Sequence, residues 1–137
     1  MGQGTSREEL SVLKGLLAGG ITLGFAAVFP VRLVLPFLAV ALGLMAGVYP
    51  GMAMADPQGG RWPLEWVLAL LLVALGMGGL WTSPVLLAGA FLLHCLWGLL
   101  HNFTALGDGT PEGYPAFCIT FDLVMAGFVL YVWGAGA

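Results

Sequence analysis

Charge is scarce in this sequence. Only four Lys or Arg and seven Asp or Glu occur in 137 residues, which is 8% charged against 60% hydrophobic. A soluble domain averages about 25% charged residues. Eleven charged groups cannot solvate the surface of a fold this size, so most of that surface must face lipid. The mean hydropathy of +0.99 agrees. Basic stripes are missing too, and the net charge of −3 excludes nucleic acid as a partner. The two cysteines, Cys95 and Cys118, have neither CxxC nor zinc-type spacing. There is no nucleophile elbow, P-loop or dinucleotide fingerprint. GDGTPEG at 107–113 does not open a helix, because Pro111 and Pro115 read as loop.

The N-terminal MGQGTSREEL lacks the basic region and small-residue cleavage site of a secretory signal, so the first apolar segment is expected to be retained. Met1, Gly2 and Ser6 fit the permissive myristoylation pattern, read here as a chance match.

What is present is a set of long apolar runs. A hydrocarbon core of about 30 Å needs ~20 residues of helix. Five segments qualify, at about 10–29, 33–49, 64–80, 85–100 and 116–133. The reading is an all-α polytopic membrane helix bundle in one domain, with four spans as the alternative. Ser6 with Glu9 reads as a capping box for the first helix. FPVR at 29–32 breaks the first two spans, and Pro36 falls in the first turn of the second. PGMAMADPQGGRWP at 50–63 reads as the first true loop, WTSP at 81–84 as a tight turn, and GDGTPEGYP at 107–115 as the second loop.

Arg7, Lys14 and Arg61 fall on one side of the membrane and Arg32 on the other, so the N-terminus is expected in the cytoplasm and the C-terminus outside. Trp62 and Trp66 mark one interface, Trp81 and Trp133 the other. Glycines recur at four-residue spacing, as in Gly15 with Gly19 and Gly20 with Gly24. Close packing within one bundle is the favoured explanation, and a homo-oligomeric face the alternative.

The chemistry concentrates in HCLWGLLHN, residues 94–102, which holds both histidines of the chain. A seven-residue step turns a helix about 700°, so His94 and His101 share a face about 10.5 Å apart along the axis, with Trp97 and Gly98 between. That spacing is too long for both rings to reach one ion, unlike the i, i+4 pair of HExxH. Asp122 lies deep in the fifth span, where an ionisable residue reads as functional, with Cys118 one turn earlier. Measured from His101 and Tyr114 at the boundary, His94 and Asp122 lie about 10.5 and 12 Å deep. The two are therefore expected to face each other, with Cys118 opposite Trp97 and Gly98. His101 is expected nearer the mouth, below Asp108 and Glu112. Glu65, in the first turn of the third span, lies on the same side.

The run H-x2-W-x3-H, the Gly/Pro loop with Pro111 and Pro115, then Cys118, Asp122 and Trp133, resembles a family of small bacterial integral membrane proteins of uncharacterised function over about residues 88–135. That pattern carries an acid or amide after the tryptophan, where this chain has Gly98. The resemblance implies a fold and a candidate site in a bacterial inner membrane, and no reaction.

Three functions compete. The first is a pocket of His94, His101 and Asp122, walled by Trp97, Cys118 and Glu65, that binds a divalent metal or a small lipid-like substrate. The second is a structural or assembly subunit of a larger membrane complex, with a His94–Asp122 helix lock or a haem or chlorin on His94. The third is a proton-coupled carrier.

Overall fold

A computed structural model describes residues 3–56, 62–103 and 110–135, with side chains from Arg7 onward. Its elements are α1 (Gln3–Ala26), α2 (Val31–Ala46), α3 (Val48–Ala55), α4 (Trp62–Trp81), α5 (Pro84–Phe103) and α6 (Tyr114–Gly134). Among the described residues there is no strand. Five helical stretches are long and apolar enough to cross a membrane: Arg7–Ala26, Val31–Ala55, Trp62–Trp81, Pro84–Phe103 and Tyr114–Gly134. The chain is a multi-pass helical membrane bundle.

Lipid as solvent explains the surface. Leu17, Ile21, Phe25, Val40, Leu44, Val67, Leu70 and Leu123 all point outward and are exposed. Trp62 and Trp66 are exposed at one end of α4 and Trp81 at the other, as interfacial aromatics are.

The centre of the bundle is the antiparallel pair α5 and α6, its most extensive interface. α1 flanks α6, α4 flanks α5, and α2 packs on α4 while reaching α5. Leu38, Leu42, Leu72, Leu87, Phe91, Met125 and Val129 form the apolar core. Gly15 and Gly19 bring α1 against α6. A Cβ at Gly15 would stand 2.6 Å from the Phe117 carbonyl oxygen, and one at Gly19 3.0 Å from Val124. This glycine pair is therefore internal packing, as favoured from sequence. Around Gly20 and Gly24 the space is open.

The second span departs from expectation. Instead of stopping at Tyr49, it continues as α3 to Ala55, so residues 50–55 are helix and not loop. Pro50 lies in the first turn of α3, where its missing N–H has no helical partner to lose. Gly47 joins α2 to α3 in a right-handed helical conformation, with its N–H bonded to the Gly43 carbonyl at 3.1 Å. Met54 accepts a hydrogen bond from Trp66 Nε1 at 3.3 Å, tying α3 to α4.

Two smaller expectations also fail. α1 begins at Gln3, so Ser6 lies inside the helix and is no N-cap. α2 begins at Val31, which leaves Pro36 inside the helix beyond its first turn. The break at 29–32 does occur, with Pro30 at the N-cap of α2. α6 starts after Gly113, whose φ of +81° suits glycine. A Cβ there would also collide with the Ser11 hydroxyl of α1.

Candidate functional site

Four buried polar or charged side chains stand out in an otherwise apolar interior: Glu65, His94, His101 and Asp122. They form two separate imidazole–carboxylate pairs at two depths.

The deeper pair joins α5 to α6. His94 Nδ1 and Asp122 Oδ2 share a hydrogen bond at 2.7 Å, and both residues are 0% exposed. Asp122 lies eight residues into α6, about 12 Å from its start. The facing inferred from depth alone is what the structure has. His94 Nε2 and Asp122 Oδ1 remain buried without a protein partner.

The shallower pair joins α5 to α4. His101 Nε2 and Glu65 Oε1 lie 2.9 Å apart, with side chains 2% and 4% exposed. Glu65 Oε2 accepts from Trp97 Nε1 at 2.8 Å, and His101 Nδ1 donates to the Trp97 carbonyl at 3.0 Å. Glu65 thus clamps two side chains one turn apart on α5. Its place in the first turn of α4 suits an acidic group near the positive end of the helix dipole.

Tyr49, in the first turn of α3, sits between the pairs. Its ring lies 4.4 Å from that of His101, 5.6 Å from His94 and 5.5 Å from Tyr114, centroid to centroid. Gly98 lies against it: a Cβ at Gly98 would stand 3.5 Å from the Tyr49 hydroxyl, an ordinary contact, and 3.3 Å from Ile119. The Tyr49 and Tyr114 hydroxyls are both buried without a partner of hydrogen-bond geometry. The buried Cys118 thiol interacts with both.

Sequence reasoning found His94, Asp122, His101, Trp97, Glu65 and Cys118, and all of them lie in this region. It missed Tyr49 and Tyr114, because a tyrosine at a span end is an ordinary interfacial residue. It also grouped the residues differently. The metal set of His94, His101 and Asp122 does not converge, since His101 takes Glu65 as its partner. Among the described residues no three His, Cys, Asp or Glu are grouped to hold a metal ion. Glu112 does not cover His101. It pairs with Arg7 at 2.9 Å in an exposed bridge from α1 to the residues before α6. Asp108 and Arg61 lie outside the described residues.

The polar groups stop at the level of His94 and Asp122. Farther along α5 and α6 the buried side chains are Leu87, Phe91, Met125 and Val129. Among the described residues, the arrangement is a buried polar cluster at the C-terminal end of α5 and the N-terminal ends of α4 and α6, with apolar packing beyond it. No family model, curated protein or solved structure matches this chain.

Proposed function

We propose that the buried polar cluster between α3, α4, α5 and α6 is a chamber that takes the polar head of a small amphiphile. One observation carries the reading. Among the described residues, four buried polar atoms, Tyr49 Oη, His94 Nε2, Tyr114 Oη and Asp122 Oδ1, lack a partner of hydrogen-bond geometry, and only the two tyrosines have even the weakly polar Cys118 thiol beside them. Leaving a buried polar group unsatisfied costs about 1–3 kcal/mol, and native interiors rarely tolerate it. A helix lock needs only the Nδ1–Oδ2 bond and gives no reason for the remaining four atoms. A ligand head group with several donors and acceptors does.

The alternatives fit less well. A proton relay runs along a chain of ionisable groups, and among the described residues the buried side chains beyond His94 and Asp122 are apolar. A haem or chlorin shared with another chain must bring a whole macrocycle to His94, which is 0% exposed within its own bundle, whereas a head group brings only a few atoms.

The excess of Arg and Lys on the N-terminal side supports a cytoplasmic opening. The H-x2-W-x3-H resemblance supports a bacterial inner membrane. The head group then enters from the cytoplasmic leaflet, past Tyr49 and the Glu65–His101 pair, while the apolar tail stays in lipid.

A panel of octyl compounds tests this, with alcohol, amine, carboxylate and phosphate heads on one tail. At least one head group should raise the melting temperature of the wild-type protein in detergent more than that of His94→Ala or Tyr49→Phe. If every compound shifts all three proteins equally, the reading fails.

A further inference from the structure

The proton and charge balance of the two pairs narrows the ligand. In the shallow pair, the Trp97 carbonyl can only accept, so His101 Nδ1 carries a proton. Trp97 Nε1 can only donate, so Glu65 Oε2 is an acceptor. The 2.9 Å contact between His101 Nε2 and Glu65 Oε1 then needs one more proton between them. Whichever atom holds it, the His101–Glu65 pair is neutral as a unit.

The deep pair differs. One proton at His94 Nδ1 leaves Nε2 bare and the pair with a charge of about −1. A second proton makes the pair neutral and places N–H at Nε2. Other titratable groups near Asp122 are Tyr49 from α3, Cys95 from α5, and Tyr114 and Cys118 from α6, and none is cationic. Among the described residues, the charged side chains of α1 and α2 are exposed, and Glu65 of α4 is already paired. Among the described residues no fixed cation therefore compensates Asp122. A buried uncompensated charge is strongly disfavoured, so the chamber holds one exchangeable positive charge.

We infer that the chamber takes a primary ammonium head group in exchange for that proton. The inference rests on the chamber reading above. A primary ammonium brings three N–H donors. Once the proton leaves, His94 Nε2 and Asp122 Oδ1 are acceptors, and the Tyr49 and Tyr114 hydroxyl oxygens complete the set. A phosphate or carboxylate head would add a second negative charge beside Asp122. A quaternary ammonium has no N–H and would leave the same four atoms unpaired. The exchange balances: one ammonium enters, one proton leaves to water, and the chamber charge is unchanged.

The test titrates octylamine into the wild-type protein in weakly buffered neutral detergent. The expected result is one proton released per amine bound, with affinity rising about tenfold per pH unit while the proton competes. Asp122→Asn should abolish the release. Tyr49→Phe, which keeps both pairs, should weaken binding while leaving the stoichiometry of release unchanged. Octyl alcohol binding as tightly as octylamine would overturn the inference, as would amine binding with no proton released or with equal release from Asp122→Asn. In each of those cases the chamber still binds a head group. If no octyl compound binds, the chamber reading fails as well.

Discussion

His94 Nδ1 and Asp122 Oδ2 meet at 2.7 Å across the α5–α6 interface, and neither residue has any surface exposure. The bond fixes the His94 ring by one nitrogen and turns the other toward the interior. Asp122→Ala removes the partner and strands the imidazole in the core. A loss of about 3 kcal/mol of stability is expected, as for other broken buried pairs. Asp122→Asn keeps an acceptor in place and should cost about 1 kcal/mol, in the range of hydrogen bonds within membrane bundles. Reversible unfolding in mixed detergent micelles measures both. Equal losses would show that the bond does not hold the helices.

Glu65 offers a test of the proton held in the shallow pair. If that proton can sit on the carboxyl group, a glutamine amide replaces it. The side-chain N–H2 donates to His101 Nε2, and its oxygen accepts from Trp97 Nε1. Glu65→Gln should therefore cost no more than about 1 kcal/mol, whereas Glu65→Ala should cost about 2–3 kcal/mol by stranding both partners. The same unfolding measurement separates them.

The glycines on α1 make opposite predictions within one helix. Gly15→Ala places a Cβ against Phe117 and Thr120 of α6, at 2.6 and 2.8 Å before relaxation. A loss of about 1–3 kcal/mol is expected from overpacking. Gly20→Ala and Gly24→Ala meet nothing within 4 Å and should be neutral or stabilising by up to about 1 kcal/mol through helix propensity. If Gly20→Ala were as damaging as Gly15→Ala, that side of α1 would be packed against something outside the chain.

If all five apolar helices cross the bilayer, the two ends of the chain lie on opposite sides of it. Reporter fusions at the two ends should give opposite compartment signals, with the N-terminal fusion reporting cytoplasm. Matching signals would require an even number of crossings.

Much of this was legible from hydropathy and rise per residue alone. A rise of 1.5 Å per residue sufficed to set His94 against Asp122, because α5 and α6 are consecutive spans, read as antiparallel neighbours. The α3 helix was not legible. Pro50 and Gly51 are loop residues by type, and only the helical joint at Gly47 makes them the start of another helical segment. That misreading also hid Tyr49, which enters the site through α3. The partner of His101 was hidden for a different reason. Sequence depth placed Glu65 at the right level but could not give the rotation of α4 that aims it at α5.

The most direct measurement is nitrogen NMR of histidine-labelled protein in lipid nanodiscs, with and without saturating octylamine. His101 should show a protonated Nδ1 in both states, since its partners do not change. His94 Nε2 should carry a proton without amine and lose it when the amine binds. A His94 signal unmoved by octylamine, with Nε2 in one protonation state throughout, would contradict a chamber that trades a proton for an ammonium head group.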